Sequence, residues 1–569
     1  MTTQPLSAKS GSHRLALSAE QVAWSVVLLG AALLRMGGLG RWPLFASEAA
    51  VALDVVGPFA HRPPAFAPDT SPLLLNLVGA SMWLFGTGEA AVRSVAALAG
   101  MALLLLLWHM RAVLGRSAAL GAALLVMASP SLVFFARQAD DTVLAYTVSL
   151  WVVLALWRLW RDPSRRTLDH AALAVGVALT AGAGVWVVPV AGLLWWAWVR
   201  PQVPQAVRDV LAAHWVRASG VALGTALLLS TAFFTNLDGV GVLLAQPARF
   251  VRLWLGLDGV GLVVPYMVAF MLYEWPLVLW GLLGGALLNT ERPRLAAFLL
   301  AWCGAALVLP ALFNSGWTGS LALAALPLAL LGGVAVARLL DAVMTFHARQ
   351  EMAALTGGVF ILAAFFWLLL LAYGHGRVHD ALLFLLVSMP VLIGALLVVA
   401  GALLSWGLAW RATGVLVLVA ALFWQWHTAW QLVYADAPDP REPLVQQAPH
   451  PDLLYLSEFL PRISLERTLH ADRAPLGIQR SLGVLPFWYA REFETVDALT
   501  TAPPTADEWQ ILLLDEAAPP PPGVLGQRVY LGRVWAWPGL RGTMLVKWVL
   551  FREAPGVVSW GGVLYVTTP

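Results

Sequence analysis

The chain contains little charge, little cysteine and little lysine. Only 12% of its 569 residues are charged and 60% are hydrophobic, whereas soluble domains average about 25% charged residues. This composition excludes an ordinary soluble globular protein and indicates that lipid is the main solvent of the folded chain. Cys303 is the single cysteine, which excludes an intramolecular disulfide and a cysteine-rich metal site.

The positive charge is also small, and arginine supplies almost all of it. The net charge is +3 at pH 7, and Lys9 and Lys547 are the only lysines. A nucleic-acid-binding protein normally carries a strong basic excess or a basic patch. The composition therefore predicts no nucleic-acid partner, and the lipid bilayer is the predicted partner instead.

Long hydrophobic runs recur between residues 19 and 433. Because roughly 20 apolar residues cross a bilayer as a helix, these runs predict about 13 spanning helices. The predicted spans lie near 19–40, 91–112, 117–135, 142–160, 168–181, 184–199, 218–234, 262–288, 295–313, 319–339, 353–373, 381–405 and 412–433. The short pair within 168–199, interrupted by Gly182 and Gly184, predicts either one tilted helix or a tight hairpin.

The apolar segment 72–86 is shorter than a span, and the placement of arginine decides its interpretation. Pro72 is typical of a helix start, and Gly86 is typical of a stop. If this helix lies in the interface, the arginine cluster at 158–166 falls on the cytoplasmic side, as the positive-inside rule requires. Counting the spans in the same way predicts a multi-pass protein of the cytoplasmic (inner) membrane. Its N-terminus would be cytoplasmic and its C-terminus extracytoplasmic.

These spans define the predicted domains. Residues 1–18 are a cytoplasmic tail, and 19–433 are an all-α membrane domain with outer loops at 41–90, 136–141 and 235–261. Proline and charge in DAPDPREP mark a linker at 434–449. Within 450–569, LLYLSEFLPRI is typical of a helix, whereas WQILLLDE, GQRVYLGRVWAW and GGVLYVTT are typical of strands. The sequence therefore predicts a small extracytoplasmic α/β domain after the membrane domain.

Acidic residues gather in the outer loops, where they are candidates for chemistry. The first outer loop carries Glu48, Asp54 and Asp69, and the loop after the third span carries Asp140 and Asp141. A carboxylate can deprotonate an acceptor hydroxyl, and basic groups or a metal ion can hold a phosphate leaving group. The alternative is that these residues are solvated loop charges, which are common at membrane edges.

Three further residues are candidates for contact with a lipid phosphate. Arg249 and Arg252 lie in the long outer loop, and the arginine fork matches phosphate oxygens; the alternative is that both are ordinary interfacial arginines. Glu274 lies inside the eighth span. It either contacts a lipid phosphate through a metal ion or faces a polar cavity; the alternative is that it is paired with an arginine or hydrogen-bonded in the protein interior.

Several segments of the chain resemble one group of membrane enzymes. The segments are SPLLLNLVGASMWLFG, TGEAAVRSVAALAG, ASPSLVFFARQADD, LYEWPLVLWGLL, LGVLPFWYAREFETV and WVLFREAPGVVSWGGVLYVTT. They resemble the GT-C superfamily of polyprenyl-phosphate-sugar-dependent glycosyltransferases, in the family 39-like branch of protein O-mannosyltransferases and lipid A aminoarabinose transferases. Within that branch, the chain is similar to proteins described as flippase-activity-associated in prokaryotic N-glycosylation loci.

The resemblance implies a GT-C fold and an activity. A sugar would move from a polyprenyl-phosphate donor to a hydroxyl on a protein, lipid or glycan acceptor outside the cytoplasmic membrane. Glu48 and Asp141 would be catalytic, and Arg93, Arg137 and Glu89 would support them. The remaining candidates are Asp69, Asp140, Tyr146, Arg249, Arg252 and Glu274. No cofactor is certain, and a divalent metal, Mg or Mn, stays open.

One position departs from the pattern of that superfamily. Ser47 stands where the family has its catalytic Asp, and a serine cannot act as a general base near neutral pH without its own activator. Either Glu48 or Asp69 has taken over as the base, or the chain has lost the reaction. In the second case it would be a non-catalytic protein that binds a lipid-linked glycan or is associated with flipping. A secondary transporter is disfavoured, because the chain shows no repeated halves.

Overall fold

The chain folds into a helical membrane domain followed by a smaller domain built on one sheet. The computed structural model describes residues 18–56, 70–257, 266–313, 315–347, 349–376, 379–435, 438–445, 447–505 and 508–567. The predicted fold class, an all-α membrane domain with a small C-terminal α/β domain, is confirmed. Asp69, one of the predicted catalytic residues, lies outside the described residues.

The first part of the membrane domain mixes long helices with short ones. Its helices are α1 (Ala19–Met36), α2 (Ala46–Val56), α3 (Pro72–Phe85), α4 (Glu89–His109), α5 (Arg111–Leu114), α6 (Arg116–Ala128), α7 (Pro130–Phe135), α8 (Asp141–Arg161), α9 (Arg165–Thr180), α10 (Val187–Val199) and α11 (Gln205–Ser230). A short 3-10 helix at Ala183–Trp186 precedes α10. The chain therefore turns between α9 and α10, which excludes one continuous tilted helix over 168–199.

The second part of the membrane domain consists mainly of long helices. They are α12 (Gly239–Leu255), α13 (Tyr266–Glu291), α14 (Pro293–Cys303), α15 (Leu309–Leu312), α16 (Gly319–Met344), α17 (Arg349–Gly374), α18 (Asp380–Leu403) and α19 (Trp406–Trp430), with π-helical turns at Gly304–Val308 and Gln431–Ala435. Among the described residues, ten helical segments are long and apolar enough to cross a bilayer. The other predicted spans correspond to α9, to α10 and to the pair α6 and α7, which is interrupted at Ser129.

Contacts near the ends of the helices define two ends of the bundle. At one end, Arg111 binds Glu20 at a nitrogen–oxygen distance of 2.9 Å, and Arg411 Nε donates to the Ala342 carbonyl at 3.0 Å. We call this the arginine-rich end; it holds Arg111, Arg161, Arg200, Arg292, Arg294 and Arg411. The opposite end contacts the C-terminal domain and is called the domain end. The sequence predicts that the arginine-rich end is the cytoplasmic one.

The short helix α3 begins and ends at the domain end. Before it, the Thr70 carbonyl accepts a hydrogen bond from Gln246 Nε2 at 3.0 Å. After it, the Thr87 carbonyl accepts one from Arg491 Nη2 of the C-terminal domain at 3.0 Å. A helix of 14 residues is about 21 Å long, shorter than the roughly 30 Å hydrocarbon core. Both ends of α3 thus lie at one end of the bundle, and the interfacial position of this segment stays a prediction.

The C-terminal domain is built on a six-stranded sheet with the strand order β1-β5-β6-β4-β2-β3. Its strands are β1 (Ala448–Pro449), β2 (Leu476–Gln479), β3 (Val496–Leu499), β4 (Ile511–Asp515), β5 (Val524–Trp535) and β6 (Val557–Thr567), and its helices are α20 (Asp452–Thr468), α21 (Leu485–Tyr489) and α22 (Thr543–Phe551). Strand β2 pairs in parallel with β3 and β4, and the remaining pairs are antiparallel. The four predicted elements are confirmed as α20, β4, β5 and β6.

A buried ion pair joins the C-terminal domain to helix α13. Glu442 of the linker accepts a hydrogen bond from Arg552 Nε at 2.9 Å, and both side chains are buried. Its other carboxylate oxygen accepts from the Tyr273 hydroxyl of α13. Beside this junction, Trp548 donates to the Arg441 carbonyl at 3.1 Å. The linker, the end of α22 and the membrane helix are therefore held together by one polar network.

Candidate active site

Most of the predicted site residues meet around the loop between α7 and α8, residues 136–140. Arg137 Nη1 donates to two carbonyls in the last turn of α1 at 3.1 and 3.2 Å. The Ala139 amide donates to Glu48 Oε1 at 3.0 Å. Asp140 is the N-cap of α8, and its Oδ1 accepts from the Thr142 amide at 2.8 Å. This loop therefore connects α1, α2 and α8 at the domain end.

The short helix α7 fixes where this loop begins. Ser129 caps its N-terminus, and Glu274 Oε1 accepts from the Ser129 hydroxyl at 2.7 Å and from the Ser131 amide at 2.9 Å. The Tyr146 hydroxyl donates to the Leu132 carbonyl at 3.0 Å. Glu274 and Tyr146 are fully buried. Of the two interpretations of Glu274, the structure supports the hydrogen-bonded interior residue, and both side chains hold α7 without facing a substrate.

Glu48 and Arg93 form a buried, two-pronged ion pair. Arg93 Nε lies 2.9 Å from Glu48 Oε1, and Arg93 Nη2 lies 2.6 Å from Glu48 Oε2. Glu48 also accepts from the amides of Phe45 at 2.9 Å and Ala139 at 3.0 Å. Arg93 donates to three carbonyls within residues 39–43 at 2.8–3.0 Å. Their exposed fractions are 0% for Glu48 and 5% for Arg93, so the pair positions the start of α2.

This saturation argues against the predicted chemical roles of three residues. A general base must reach the acceptor proton, and Glu48 has no surface from which to do so. Arg93 and Arg137 already donate to protein oxygens and are 5% and 8% exposed, so in this arrangement they hold the backbone, and their role toward a lipid phosphate stays a prediction. In the described structure, all three act on the shape of the site through loop 136–140 and α1.

The neighbours of this pair are more accessible. Ser47, which stands where the resemblance predicts a catalytic Asp, is exposed on α2. Glu89 is partly buried at the first position of α4, where a negative charge is favoured by the helix dipole. Asp54 is half-buried near the end of α2, and burial raises the pKa of its carboxyl because the charged form loses hydration. The first outer loop thus offers Asp54 and Glu89 as its accessible carboxylates among the described residues.

Asp141 forms a second ion pair, with Arg249 of α12. Asp141 is the first residue of α8 and is 6% exposed, and its Oδ2 accepts from Arg249 Nη1. Gly182 lies directly against this carboxylate with a φ of +117°. A Cβ at that position would lie 2.6 Å from Asp141 Oδ2, so only glycine allows the backbone to approach so closely. Arg252 is exposed on the next turn of α12.

The sequence did not single out three residues that complete this region. Arg35 is fully buried in α1 and donates to the carbonyls of Val126 at 2.9 Å and Met127 at 3.1 Å, at the end of α6. An arginine near the end of a span normally reaches for the interface, so its position gives no signal of burial. Gln246 is 1% exposed and connects α12 to Thr70, two residues before α3. Tyr489 lies in LGVLPFWYAREFETV, one of the segments that carry the resemblance to glycosyltransferases.

Tyr489 and Arg491 attach the C-terminal domain to this region. The Tyr489 hydroxyl accepts a hydrogen bond from the Leu44 amide at 3.2 Å, one turn before Glu48. Burial raises the pKa of Tyr489 well above its ordinary value. Arg491 lies over the Trp488 ring at 3.9 Å and donates to the Thr87 carbonyl. The C-terminal domain therefore contacts both the start of α2 and the turn before α4.

The described residues do not assemble a metal centre. Within the ranges that the structure describes, no group of three or more His, Cys, Asp or Glu side chains is placed to hold a metal ion. Glu48 is engaged by Arg93, Asp141 by Arg249, and Asp140 by the Thr142 amide. These carboxylates do not fit a metal site as they are arranged. The predicted Mg or Mn stays a prediction, and no step below depends on it.

A protein-family comparison matches the part of the chain that contains this loop. Residues 69–236 match the family model described as dolichyl-phosphate-mannose-protein mannosyltransferase. The chain resembles these glycosyltransferases. The matched segment runs from α3 to the end of α11 and contains Arg93, Arg137, Asp140 and Asp141, so the resemblance predicted from the sequence is confirmed. No curated protein matches the chain.

Two glycosyltransferases of known structure are similar to the chain at low sequence identity. ArnT from Cupriavidus metallidurans in the apo state is 16% identical with a TM-score of 0.48, over 84% of this chain and 86% of that chain. The same protein bound to undecaprenyl phosphate is 16% identical with a TM-score of 0.49, over 84% and 87%. Arabinosyltransferase EmbB from Mycobacterium smegmatis is 14% identical with a TM-score of 0.38, over 76% and 44%.

Proposed function

We propose that the chain is a membrane glycosyltransferase that moves a sugar from a polyprenyl-phosphate donor to a hydroxyl acceptor. The acceptor would be a protein, lipid or glycan at the domain end, outside the cytoplasmic membrane. The family match over residues 69–236 carries the proposal, because it contains the loop at 136–140 around which the site residues are held. The many apolar helices support a donor that is itself anchored in lipid.

The ion pair between Asp141 and Arg249 is central to the proposed reaction. A guanidinium binds a carboxylate and a phosphate through the same fork of donors. An arriving donor phosphate would therefore compete with Asp141 for Arg249 and leave the Asp141 carboxylate free. That carboxylate could then take the proton of an acceptor hydroxyl, with Asp140 beside it on the same helix turn.

Arg249 and Arg252 would stabilise the leaving group. The acceptor oxygen forms a bond to the anomeric carbon, the bond from that carbon to the phosphate oxygen breaks, and the acceptor proton passes to the carboxylate. Polyprenyl phosphate then leaves with an added negative charge, which preorganised arginines stabilise. Residues three apart on a helix lie on neighbouring positions of its surface, so α12 can present both groups to one phosphate.

The proposal is tested by turnover of the purified full-length protein with a panel of polyprenyl-phosphate sugars, with free polyprenyl phosphate as the readout. Asp141→Asn is expected to lower the turnover rate by roughly 100-fold or more, the usual range for loss of a general base. Asp162→Asn is the matched control, because Asp162 is an exposed carboxylate at the other end of α8. Full activity of Asp141→Asn would contradict the site assignment.

A second function is supported by the lack of an available carboxylate at residues 47 and 48. Ser47 supplies no carboxylate, and Glu48 is saturated by Arg93 and two amides. A protein that binds a lipid-linked glycan and assists its flipping needs no base at this position. This alternative predicts stoichiometric binding of the lipid-linked sugar without release of polyprenyl phosphate. Release in the presence of an acceptor, at a rate that depends on Asp141, excludes it.

A further inference from the structure

An apolar cavity of about 1100 Å³ lies between α8, α9, α10 and α14, toward the arginine-rich end. Val152, Val175, Val188 and Phe298 are among its lining residues. Ser149 is the lining residue of α8 that comes closest in sequence to the candidate active site. It lies about 12 Å along the helix from Asp141, whereas Val185 lines the cavity only three positions after Gly182. The cavity therefore extends from the neighbourhood of that site to the arginine-rich end. Its volume is slightly above the usual range for ligand pockets, roughly 300–1,000 Å³.

Three arginines line the same cavity. They are Arg161 at the end of α8, and Arg292 and Arg294 on either side of the start of α14. All three side chains are exposed, and among the described residues none of them forms an ion pair. Arg292 donates to the Val113 carbonyl, and Arg161 lies 5.4 Å from the ring of Trp157. Their charges are thus available to an external anion.

Tryptophans mark the depth of this cavity in the membrane. Trp157, Trp160, Trp195 and Trp196 also line it, and tryptophan is enriched where the hydrocarbon core meets the headgroups. An anionic lipid needs an apolar space for its chains and a positive charge for its headgroup, and this cavity offers both. The apolar lining suits acyl chains, and the arginines suit a phosphate at the headgroup level.

We propose that this cavity binds an anionic phospholipid from the leaflet at the arginine-rich end. Its acyl chains would occupy the cavity, and its phosphate would lie among Arg161, Arg292 and Arg294. A zwitterionic lipid would fill the same space but leave the arginines without a net counter-charge. Polyprenyl phosphate has similar chemistry, but the proposed transfer uses it at the opposite end of α8, about 30 Å away. The lipid site therefore does not depend on the proposed function.

Native mass spectrometry of the full-length protein in detergent tests this site. The protein is titrated with phosphatidylglycerol and with phosphatidylcholine that carry the same acyl chains, and the bound fraction of each is measured. The unmodified protein is expected to prefer phosphatidylglycerol. Replacing Arg161, Arg292 and Arg294 together by glutamine should weaken phosphatidylglycerol binding by roughly 100-fold, since each basic residue near a membrane surface contributes about fivefold.

Two further sets of variants separate charge from cavity filling. Glutamine at Arg116, Arg166 and Arg208 removes the same charge from exposed positions at this end that do not line the cavity. Gly192→Phe places a ring in the cavity, because a Cβ at Gly192 meets no atom within 4 Å. Gly220→Phe is its control on α11, where a Cβ also meets no atom within 4 Å and the cavity is not reached.

The results divide clearly. The proposal is supported if the cavity arginines and Gly192→Phe lower lipid binding while both control sets keep the preference for phosphatidylglycerol. It is overturned if the control arginine set lowers binding equally, or if Gly192→Phe has no effect. A third arm adds polyprenyl phosphate to the phosphatidylglycerol complex. Displacement of phosphatidylglycerol at equal concentration would overturn the assignment to a phospholipid and identify the cavity as a carrier-lipid site.

Discussion

Replacing Glu48 by glutamine distinguishes a structural from a catalytic role for this residue. The carboxylate accepts four hydrogen bonds: from Arg93 Nε at 2.9 Å, Arg93 Nη2 at 2.6 Å, the Phe45 amide at 2.9 Å and the Ala139 amide at 3.0 Å. A glutamine amide offers one acceptor oxygen, and its NH2 group faces donors on the other side. Two of the four bonds are therefore lost, and the Arg93 charge stays buried without its counter-ion.

The expected cost is large. Removing one partner of a buried ion pair destabilises a protein by about 3–5 kcal/mol, because the remaining charge is left uncompensated. Glu48→Gln should therefore lower the apparent unfolding temperature of the purified protein, measured by intrinsic tryptophan fluorescence at one fixed heating rate, since membrane proteins often unfold irreversibly. Glu89→Gln is the control, since Glu89 is partly exposed and its charge at the start of α4 is worth at most about 1 kcal/mol.

A double variant sharpens this test. When Glu48→Met is combined with Arg93→Met, no unpaired charge stays in the interior. The double variant should be less destabilised than the sum of the two single variants, as expected for residues in direct contact. The reasoning is refuted if Glu48→Gln unfolds at the same temperature as the unmodified protein and yet has no turnover. That result would mean that Glu48 is the base and that the pair opens during the reaction.

Three further predictions follow from individual contacts. Gly182→Ala should lower turnover by roughly 10- to 100-fold, because the alanine is strained at this φ and its Cβ displaces Asp141; turnover and unfolding temperature are measured together. Tyr489→Phe should destabilise the protein by about 1–3 kcal/mol, because it leaves the buried Leu44 amide without an acceptor, and it should expose the linker to limited proteolysis. Burial lowers the pKa of His450 in the C-terminal domain, so the unfolded chain binds more protons at this histidine than the folded chain does. The stability of the protein should therefore fall as the pH drops below 6.5, the ordinary pKa of histidine. His450→Gln should remove that part of the pH dependence in thermal unfolding.

Each of these predictions has a matched control. Gly192→Ala changes a glycine with an ordinary φ and open space around it, so it should keep full turnover. Tyr455→Phe removes a hydroxyl from an exposed ring and should leave stability and proteolysis unchanged. His470→Gln alters an exposed histidine and should keep the parental pH dependence. An equal effect in a control and its partner variant would contradict the structural explanation given for that contact.

Hydropathy and charge were sufficient to predict where the membrane helices lie in the sequence. Every predicted span contains a helix. The arginine clusters at 158–166 and 292–294 lie at the same end of the bundle, as the number of predicted spans between them requires. These properties are local, since they depend on the length of an apolar run and on the residues that follow it. The strongly patterned elements of the C-terminal domain were predicted for the same reason. Strands β2 and β3 were not, because four-residue elements have too little periodicity to detect.

The partners of the candidate site residues could not be predicted in this way. Glu48 and Arg93 lie 45 positions apart in the sequence, and Asp141 and Arg249 lie 108 apart. Nothing in a local pattern says which arginine a carboxylate will meet, and only tertiary packing decides it. The sequence selected the loop at 136–140 as a candidate site, and the structure shows that several of the other candidates lie around it. The sequence could not show that Arg137 would cap α1 while Asp141 would meet α12.

The adjacent residues Tyr273 and Glu274 have a consequence for how such proteins can be recombined. Tyr273 binds Glu442 of the linker, and Glu274 binds α7, which leads into loop 136–140. The C-terminal domain is therefore not an interchangeable attachment. A chimaera that carries the C-terminal domain of a relative should express and fold well only if the linker acid and the residue at position 273 are exchanged together. Sequence divergence in the linker of the C-terminal domain is thereby constrained by α13, and divergence in α13 by the linker.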